Sequence, residues 1–356
     1  MNILIISAFP PNQKTAGQDY TRRLILDLLS KNHKISLVYA EYPTHEVELP
    51  DSVEILATIK PSLENCLLKP FLHPFFTKRF DKNILELIKL VSSNFDIIYF
   101  DFSQVHIYSL FVEHPRKILM CHDVIAQKFT RKGKLQLPFI KKSESKCLKS
   151  ANEIITFSKK DCDFISNFYG LRAVSVNFYL KNEKFDYSNI EISENMFCFY
   201  GAWNREENTE ALLWFIKNVL PSLSSKLQFV LIGGGINEDL KSYISKIENF
   251  KILGFVDNPI AEISKCQALI APLHKGAGVK VKVIDALTSG TKVIGTDVAF
   301  EGIEDNTECK LFLQKVLPSE YEYLLNNWIT EKKEVKQSAA IEFFTRYNEN
   351  HFPDLI

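Results

Sequence analysis

Residues 266–302 read CQALIAPLHKGAGVKVKVIDALTSGTKVIGTDVAFEG: a strand, a glycine turn, a short lysine-bearing helix, a second strand and an acidic loop. The run 268–273 is apolar and stops at a proline and a histidine, the profile of a parallel strand buried on both faces and closed at its carboxyl end. Gly276 and Gly278 then let the backbone turn sharply and approach a ligand. Val281, Ile284, Ala286 and Leu287 follow at helical spacing until Gly290 stops the helix. A helix that begins just past a glycine turn offers free N–H groups and partial positive charge to an anion, and Lys280 and Lys282 add two full charges in the same turn. Asp285 lies three residues beyond Lys282 on the same face, so a carboxylate sits one turn deeper than a phosphate-facing lysine, a spacing that suits a ribose. The plainer alternative is a surface helix with solvated lysines.

The stretch 276–303, GAGVKVKVIDALTSGTKVIGTDVAFEGI, resembles the nucleotide-sugar site of the retaining glycosyltransferases of family 4, which have a GT-B fold. In that family a glycine-rich turn, a lysine on the next helix and a glutamate later on it hold the donor's diphosphate and ribose. The resemblance assigns these roles to Gly276 and Gly278, to Lys280 with Lys282, and to Asp285 in place of Glu. Two departures stand out. Ala277 occupies the position of a second glutamate near the donor sugar, and Asp285 is shorter by one methylene. Both bear on catalytic detail and sugar identity more than on fold.

The bounds set by composition agree with an ordinary soluble protein. A chain of 356 residues suggests about two domains, and 46% hydrophobic with 24% charged residues describes an ordered chain. With a net charge of zero there is no electrostatic sign of nucleic acid, so none is expected as a partner. The N-terminus, MNILIISAF, reads as a first buried strand rather than a signal peptide, and no run is long and apolar enough for a span; a cytoplasmic location follows as an expectation. Seven cysteines, never in a C-x-x-C spacing, read as buried free thiols, Cys121, Cys198 and Cys266 above all.

Short apolar runs at 3–8, 35–40, 53–57, 96–100, 117–121, 154–157 and 173–176 alternate with helical patterns at 20–30 and 84–91. A polar, weakly patterned segment at 181–195 reads as a linker. The alternation then restarts at 197–200, 229–232, 251–253, 268–271 and 293–295. The expected fold class is α/β, with two Rossmann-like doubly wound domains facing a central cleft: an acceptor-binding domain at 1–180, the linker 181–195, and a nucleotide-sugar domain at 196–330. Segment 331–356 contains a helical pattern, and the resemblance makes it the crossover back to the first domain.

Other motifs attach to this frame. The loop FPPNQKTAGQDYTRR carries Gly17 before a helix that Asp19 or Thr21 would cap, and the resemblance brings this loop to the donor diphosphate or the acceptor. His122 ends the strand 117–121, where the family has a histidine lining the reaction centre. In CLKSANEIITFSKKDCDFI, Ser158 and Asp161 form a capping pair, which explains the Asp161/Asp163 D-x-D triplet better than a metal site does. Arg205 is the one cation in the turn where the family clamps phosphate, with Glu206 and Glu207 beside it. QFVLIGGGINEDL fails the dinucleotide fingerprint because Glu238 stands where its third glycine belongs. Phe255 and Val256 in GFVDN match the family's nucleobase loop, and Glu301 its loop at the donor sugar.

Residues 128–149 hold eight cations (Lys128, Arg131, Lys132, Lys134, Lys141, Lys142, Lys146, Lys149) against Glu144, a local net charge of +7. With interleaved aromatics, and with 69–80 (KPFLHPFFTKRF) beside them, they suit a peripheral anionic membrane surface as well as a solvated helix.

The expected function is a glycosyltransferase that moves a sugar from a nucleoside diphosphate to a hydroxyl of a glycan or lipid-linked acceptor in bacterial surface polysaccharide or glycolipid synthesis. By resemblance it is retaining. His122, Lys280 and Lys282 would be catalytic, and no cofactor or metal would be required, because the lysines stabilise the departing diphosphate. The rivals are a sugar-nucleotide epimerase or hydrolase of the same fold and an inactive nucleotide-sugar-binding subunit.

Overall fold

The structure, a computed structural model, describes residues 1–132, 136–178, 186, 190–276, 278–303, 312–330 and 332–354. Ala277, Lys134, Leu135, Glu331 and most of the expected linker lie outside them, as do the side chains of Arg131 and Lys132. The chain divides into two compact units, one of Met1–Leu180 with Asn350–Ile356, the other of Lys181–Glu349.

Among the described residues the first unit is built on seven strands: β1 (Asn2–Ser7), β2 (Lys34–Ala40), β3 (Glu54–Ile59), β4 (Ile97–Asp101), β5 (Lys117–Cys121), β6 (Glu153–Thr156) and β7 (Val174–Ser175). Their order is β3-β2-β1-β4-β5-β6-β7, and every neighbouring pair is parallel. Ile3 to Ile6 and Ile97 to Phe100 are fully buried, which is why these strands read as unbroken apolar runs rather than alternating ones. Each such side chain withdrawn from water stabilises the unit by about 1.5–3 kcal/mol before chain entropy is set against it.

The second unit holds six strands among the described residues: β8 (Met196–Tyr200), β9 (Gln228–Ile232), β10 (Phe250–Gly254), β11 (Ala268–Ala271), β12 (Lys292–Gly295) and β13 (Leu313–Lys315). They lie in the order β10-β9-β8-β11-β12-β13, again all parallel. Its core is aromatic: Phe229 packs on Phe250 at 5.0 Å and on Phe215 at 5.5 Å, and Phe199 on Phe215 at 5.0 Å. The α/β class with two Rossmann-like units is therefore borne out. In each sheet the strand order reverses direction beside the first strand, between β1 and β4 and between β8 and β11, and loops leaving those carboxyl ends form the natural ligand edge.

Two local expectations need correction. The first long helix spans Ala16–Ser30 and is capped by the Thr15 side chain, so neither Asp19 nor Thr21 caps it: Asp19 pairs with Arg22 and Arg23, and Thr21 turns inward. The helical pattern thus began four residues earlier than the apolar periodicity showed, because Ala16 and Gly17 look like a turn in sequence. β13 was not anticipated, since its three residues are half-buried or exposed and leave no apolar run. The basic stretch takes the form of helices with a buried apolar side. Ile140 is buried with Cys147, Phe129 and Leu137 pack against the same cluster, and Glu144 is buried, accepting the N–H groups of Ile125 and Ala126 at 2.7 and 3.0 Å and the Tyr169 hydroxyl at 2.6 Å. That carboxylate caps the helix Ile125–Lys132, so its charge is spent inside the fold.

Ser158 caps Lys159–Tyr169, with its hydroxyl on the Asp161 N–H at 3.1 Å and on the Asp161 carboxylate at 2.8 Å, as the spacing requires. Cys121, Cys198 and Cys266 are buried and free. The terminal helix Lys333–Tyr347 belongs to the second unit, and the residues after it return to the first: Phe352 is fully buried 4.7 Å from the Tyr99 ring, and Asp354 pairs with Lys31 at 2.8 Å.

Candidate functional site

In the second unit the site begins where β8 ends. Gly201 and Gly233 cross so closely that a Cβ on Gly233 would lie 2.0 Å from the Gly201 carbonyl oxygen, and Gly233 has φ +113°. Trp203 pins this crossing, its backbone N–H donating to Gly234 at 2.8 Å and its indole to Ile232 at 3.0 Å. The bare Cα of Gly201 leaves room for two side chains, since a Cβ there would come within 2.8 Å of the Asn208 amide and 3.3 Å of the Lys282 ammonium.

Lys282 lies on the helix Val281–Thr288 and donates to Asn208 Oδ1 at 2.7 Å; Asn208 in turn donates to the Ala202 carbonyl at 2.8 Å. No carboxylate lies within ion-pair distance of Lys282 among the described residues. Although the residue is half-buried as a whole, its ammonium is withdrawn into the protein. Burial lowers its pKa to about 7, helped by Lys280 and Arg205 and opposed by Glu207.

Lys280 is the backbone N-cap of the same helix, and its side chain curls back to donate to the Gly278 carbonyl at 2.6 Å. It also lies 3.7 Å from Glu301 Oε2. Gly276 (φ +127°) and Gly278 (φ +70°) make this possible, and a Cβ on Gly276 would meet the Lys280 Cε at 3.2 Å. Glu301 and Asp285 are both buried. Arg205 is exposed at the start of Glu206–Asn218. Phe255 is 78% exposed just past β10, its Cβ 3.6 Å from where Gly234 would carry one, and Val256 is half-buried. The second unit thus gathers Gly276, Gly278, Lys280, Lys282 and Glu301 around one helix start, with Arg205 close enough to bear on the Lys282 charge.

The first unit has its own cluster at the ends of β1, β4 and β5. His122 Nε2 donates to Asp101 Oδ1 at 2.8 Å, and the imidazole stacks on Phe102 at 3.6 Å with 14° between planes. Phe102 holds φ +68° and ψ 140°, a strained backbone for a bulky residue, costing on the order of 1–3 kcal/mol. Gly17 faces the same ring pair: a Cβ there would lie 3.0 Å from Phe102 and 3.5 Å from His122 Nδ1.

Sequence reasoning missed Asp101, Phe102, Asn208 and Gly201. For Asp101 there was a signal, a carboxylate closing the apolar run IIYF. Among the described residues no group of three or more His, Cys, Asp or Glu is placed to hold a metal, and no helix is long and apolar enough to cross a membrane.

Comparison with known proteins adds to this picture. Residues 194–322 match the family described as glycosyl transferases group 1. A Klebsiella pneumoniae protein, an uncharacterized 44.6 kDa protein in the cps region, is 28% identical over 171 residues, which span 44% of this chain and 42% of that protein. Solved structures similar over almost the whole chain include Anabaena HepE in complex with UDP (12% identity, TM-score 0.64, 98% of this chain and 96% of that one). WaaG, a glycosyltransferase involved in lipopolysaccharide biosynthesis, superposes with TM-score 0.65 at 13% identity, covering 98% and 96%. A mutant of S. aureus TarM in complex with UDP and a glycosylated glycerol reaches 0.66 at 11%, covering 98% and 96%. These likenesses show the fold.

Proposed function

We propose that this chain, with a group 1 glycosyltransferase domain at residues 194–322 in a GT-B fold, transfers a sugar from a nucleoside diphosphate to a hydroxyl of a glycan or lipid-linked acceptor. The observation that carries the reading is Lys282: a desolvated ammonium at a helix start, beside a glycine turn and a second lysine, held by a neutral amide rather than by a carboxylate. Such a cation is complementary to a group whose negative charge grows as the glycosidic bond to phosphate breaks.

In this reading Lys282, Lys280 and Arg205 receive the diphosphate along with the N–H groups after Gly278, and Lys280 exchanges its Gly278 carbonyl for phosphate oxygen. Asp285 serves the ribose, Phe255 and Val256 the base, and Glu301 the sugar hydroxyls. The Gly17 loop and His122 serve the sugar and acceptor. The lysines supply the charge that a divalent cation supplies elsewhere, and the anomeric configuration is retained. The Klebsiella relative's place in a cps region supports surface polysaccharide as the pathway, with the protein on the cytoplasmic side and in peripheral contact with an anionic membrane through residues 128–149.

The test is a thermal-shift panel of nucleoside diphosphates, followed by turnover of the matching nucleotide sugars with and without EDTA. One diphosphate should stabilise the protein, EDTA should leave turnover unchanged, and Lys282→Ala should weaken binding and cut turnover about a hundredfold or more. Unchanged kinetics in Lys282→Ala would reject the seat, and product from donor alone that is epimerised rather than transferred would favour the epimerase.

A further inference from the structure

Asp101 is fully buried at the last position of β4, and both of its carboxylate oxygens are committed: Oδ2 accepts from the Thr21 hydroxyl at 2.5 Å and Oδ1 from His122 Nε2 at 2.8 Å. With the carboxylate ionised it can only accept, which places the proton of His122 on Nε2. A half-turn of the ring would set a carbon, not the other nitrogen, against Asp101 and lose that bond. One face lies on Phe102, and Tyr20 and Phe157 meet it edge-on at 5.5 and 4.9 Å. The side chain is 11% exposed, and among the described residues Nδ1 has no hydrogen-bond partner. Nδ1 faces Gly17, where a Cβ would lie 3.5 Å from that nitrogen and press on the Phe102 ring at 3.0 Å.

We infer that Asp101 is a positioning residue which holds His122 in the Nε2–H tautomer, so that Nδ1 is presented past Gly17 as an acceptor for a hydroxyl of the sugar substrate. The strained Phe102 backbone serves the same end, by laying a ring against the imidazole face. Nothing in this needs Asp101 to touch substrate. It acts through His122 alone, and Thr21, on the helix Ala16–Ser30, with Ser7 at 3.4 Å, completes its shell. The substrate hydroxyl rests on the proposed transferase reading; the tautomer does not.

The experiment therefore has two arms. Long-range ¹⁵N–¹H correlation spectra of the histidine rings, with His122→Gln used to assign the signal, should show the neutral ring of the wild-type protein protonated on Nε2 and bare on Nδ1. Asp101→Asn, whose amide can donate, should move the population toward Nδ1–H. A wild-type ring protonated on Nδ1, or an Asp101→Asn spectrum identical to wild type, overturns the proposal whatever the enzyme does. In the second arm, release of nucleoside diphosphate is followed with UDP-sugars and GDP-sugars. His122→Gln and Asp101→Asn should each lower kcat about tenfold to a hundredfold with UDP affinity unchanged, and the double variant should be no slower than the slower single. Multiplying losses, or a fall in UDP affinity that tracks a fall in Tm, would make Asp101 a structural residue only. A wild-type protein that turns over no nucleotide sugar would sink the transferase reading and leave the tautomer arm to decide this one.

Discussion

Lys282 places a functional demand and a stability cost on one atom. In the unfolded chain its ammonium ionises near 10.5; in the folded protein burial brings it to about 7. The folded-state pKa is lowered, so between pH 7 and 10.5 the unfolded state binds more protons and stability rises with pH. Below pH 7 both states are charged and the full burial penalty is present. Lys282→Met should therefore raise Tm at pH 6 and raise it less at pH 9, while weakening nucleotide binding as Lys282→Ala does. A Tm gain independent of pH would show that the ammonium is solvated after all. Binding of a diphosphate should favour the charged form, so affinity is level below pH 7 and falls above it by up to tenfold per pH unit. Calorimetry in buffers of different ionisation enthalpy should register uptake of a proton at pH 8.

At the scale of elements, the contact with a lipid surface is the clearest case of composition and structure diverging. The cations of 128–149 made that stretch conspicuous, yet much of its apolar content packs inward, while Lys128 lies 3.6 Å from Asp123 and Lys141 covers the Phe168 ring at 3.8 Å. The apolar side chains most open to water are on a neighbouring element, where Leu63, Leu67 and Phe71 are 72%, 79% and 81% exposed around the 3₁₀ turn Glu64–Leu68, against 38% for Phe139 within the basic stretch. Lys69 and Lys146 flank them, lining a hollow with Phe71 and Leu110. Leu67→Ser with Phe71→Ser should weaken co-sedimentation with vesicles containing anionic lipid about tenfold or more, each apolar side chain contributing about 1.5–3 kcal/mol when withdrawn from water. Equal sedimentation of variant and wild type would place the contact elsewhere. What the sequence made legible follows the range of the interaction. Strands 117–121 and 268–271 match the observed bounds because a doubly buried parallel strand is a local apolar run. The lysine turn was legible for the same reason, since Gly276, Gly278, Lys280 and Lys282 are contiguous. Asp101 and Asn208 were not, for their partners lie 21 and 74 residues away and only the strand order brings them together. The cap at Thr15 escaped notice because a glycine in a first helical turn is indistinguishable by pattern from a glycine in a loop.

At the scale of the molecule, two sheets of the same parallel design carry two different chemistries, each at its own strand reversal. Cations and glycines crowd the second, while a buried carboxylate, an imidazole and aromatic rings make up the first. The units are not independent in sequence, because the first takes its last piece from the far end of the chain. Phe352→Ala should destabilise the first unit by about 3–5 kcal/mol through the space left against Tyr99. Nucleotide protection of the second unit, read by hydrogen exchange, should survive the change; its loss along with the first unit's would show that the two melt as one. The same tail has a consequence for how the protein is made. A ribosome adds roughly 5–20 residues per second, so on the order of ten to thirty seconds separate the emergence of β7 from that of Phe352. Throughout that interval the nascent first unit carries an unfilled apolar notch beside Tyr99, a transient opening for chaperones and a moment of vulnerability during translation.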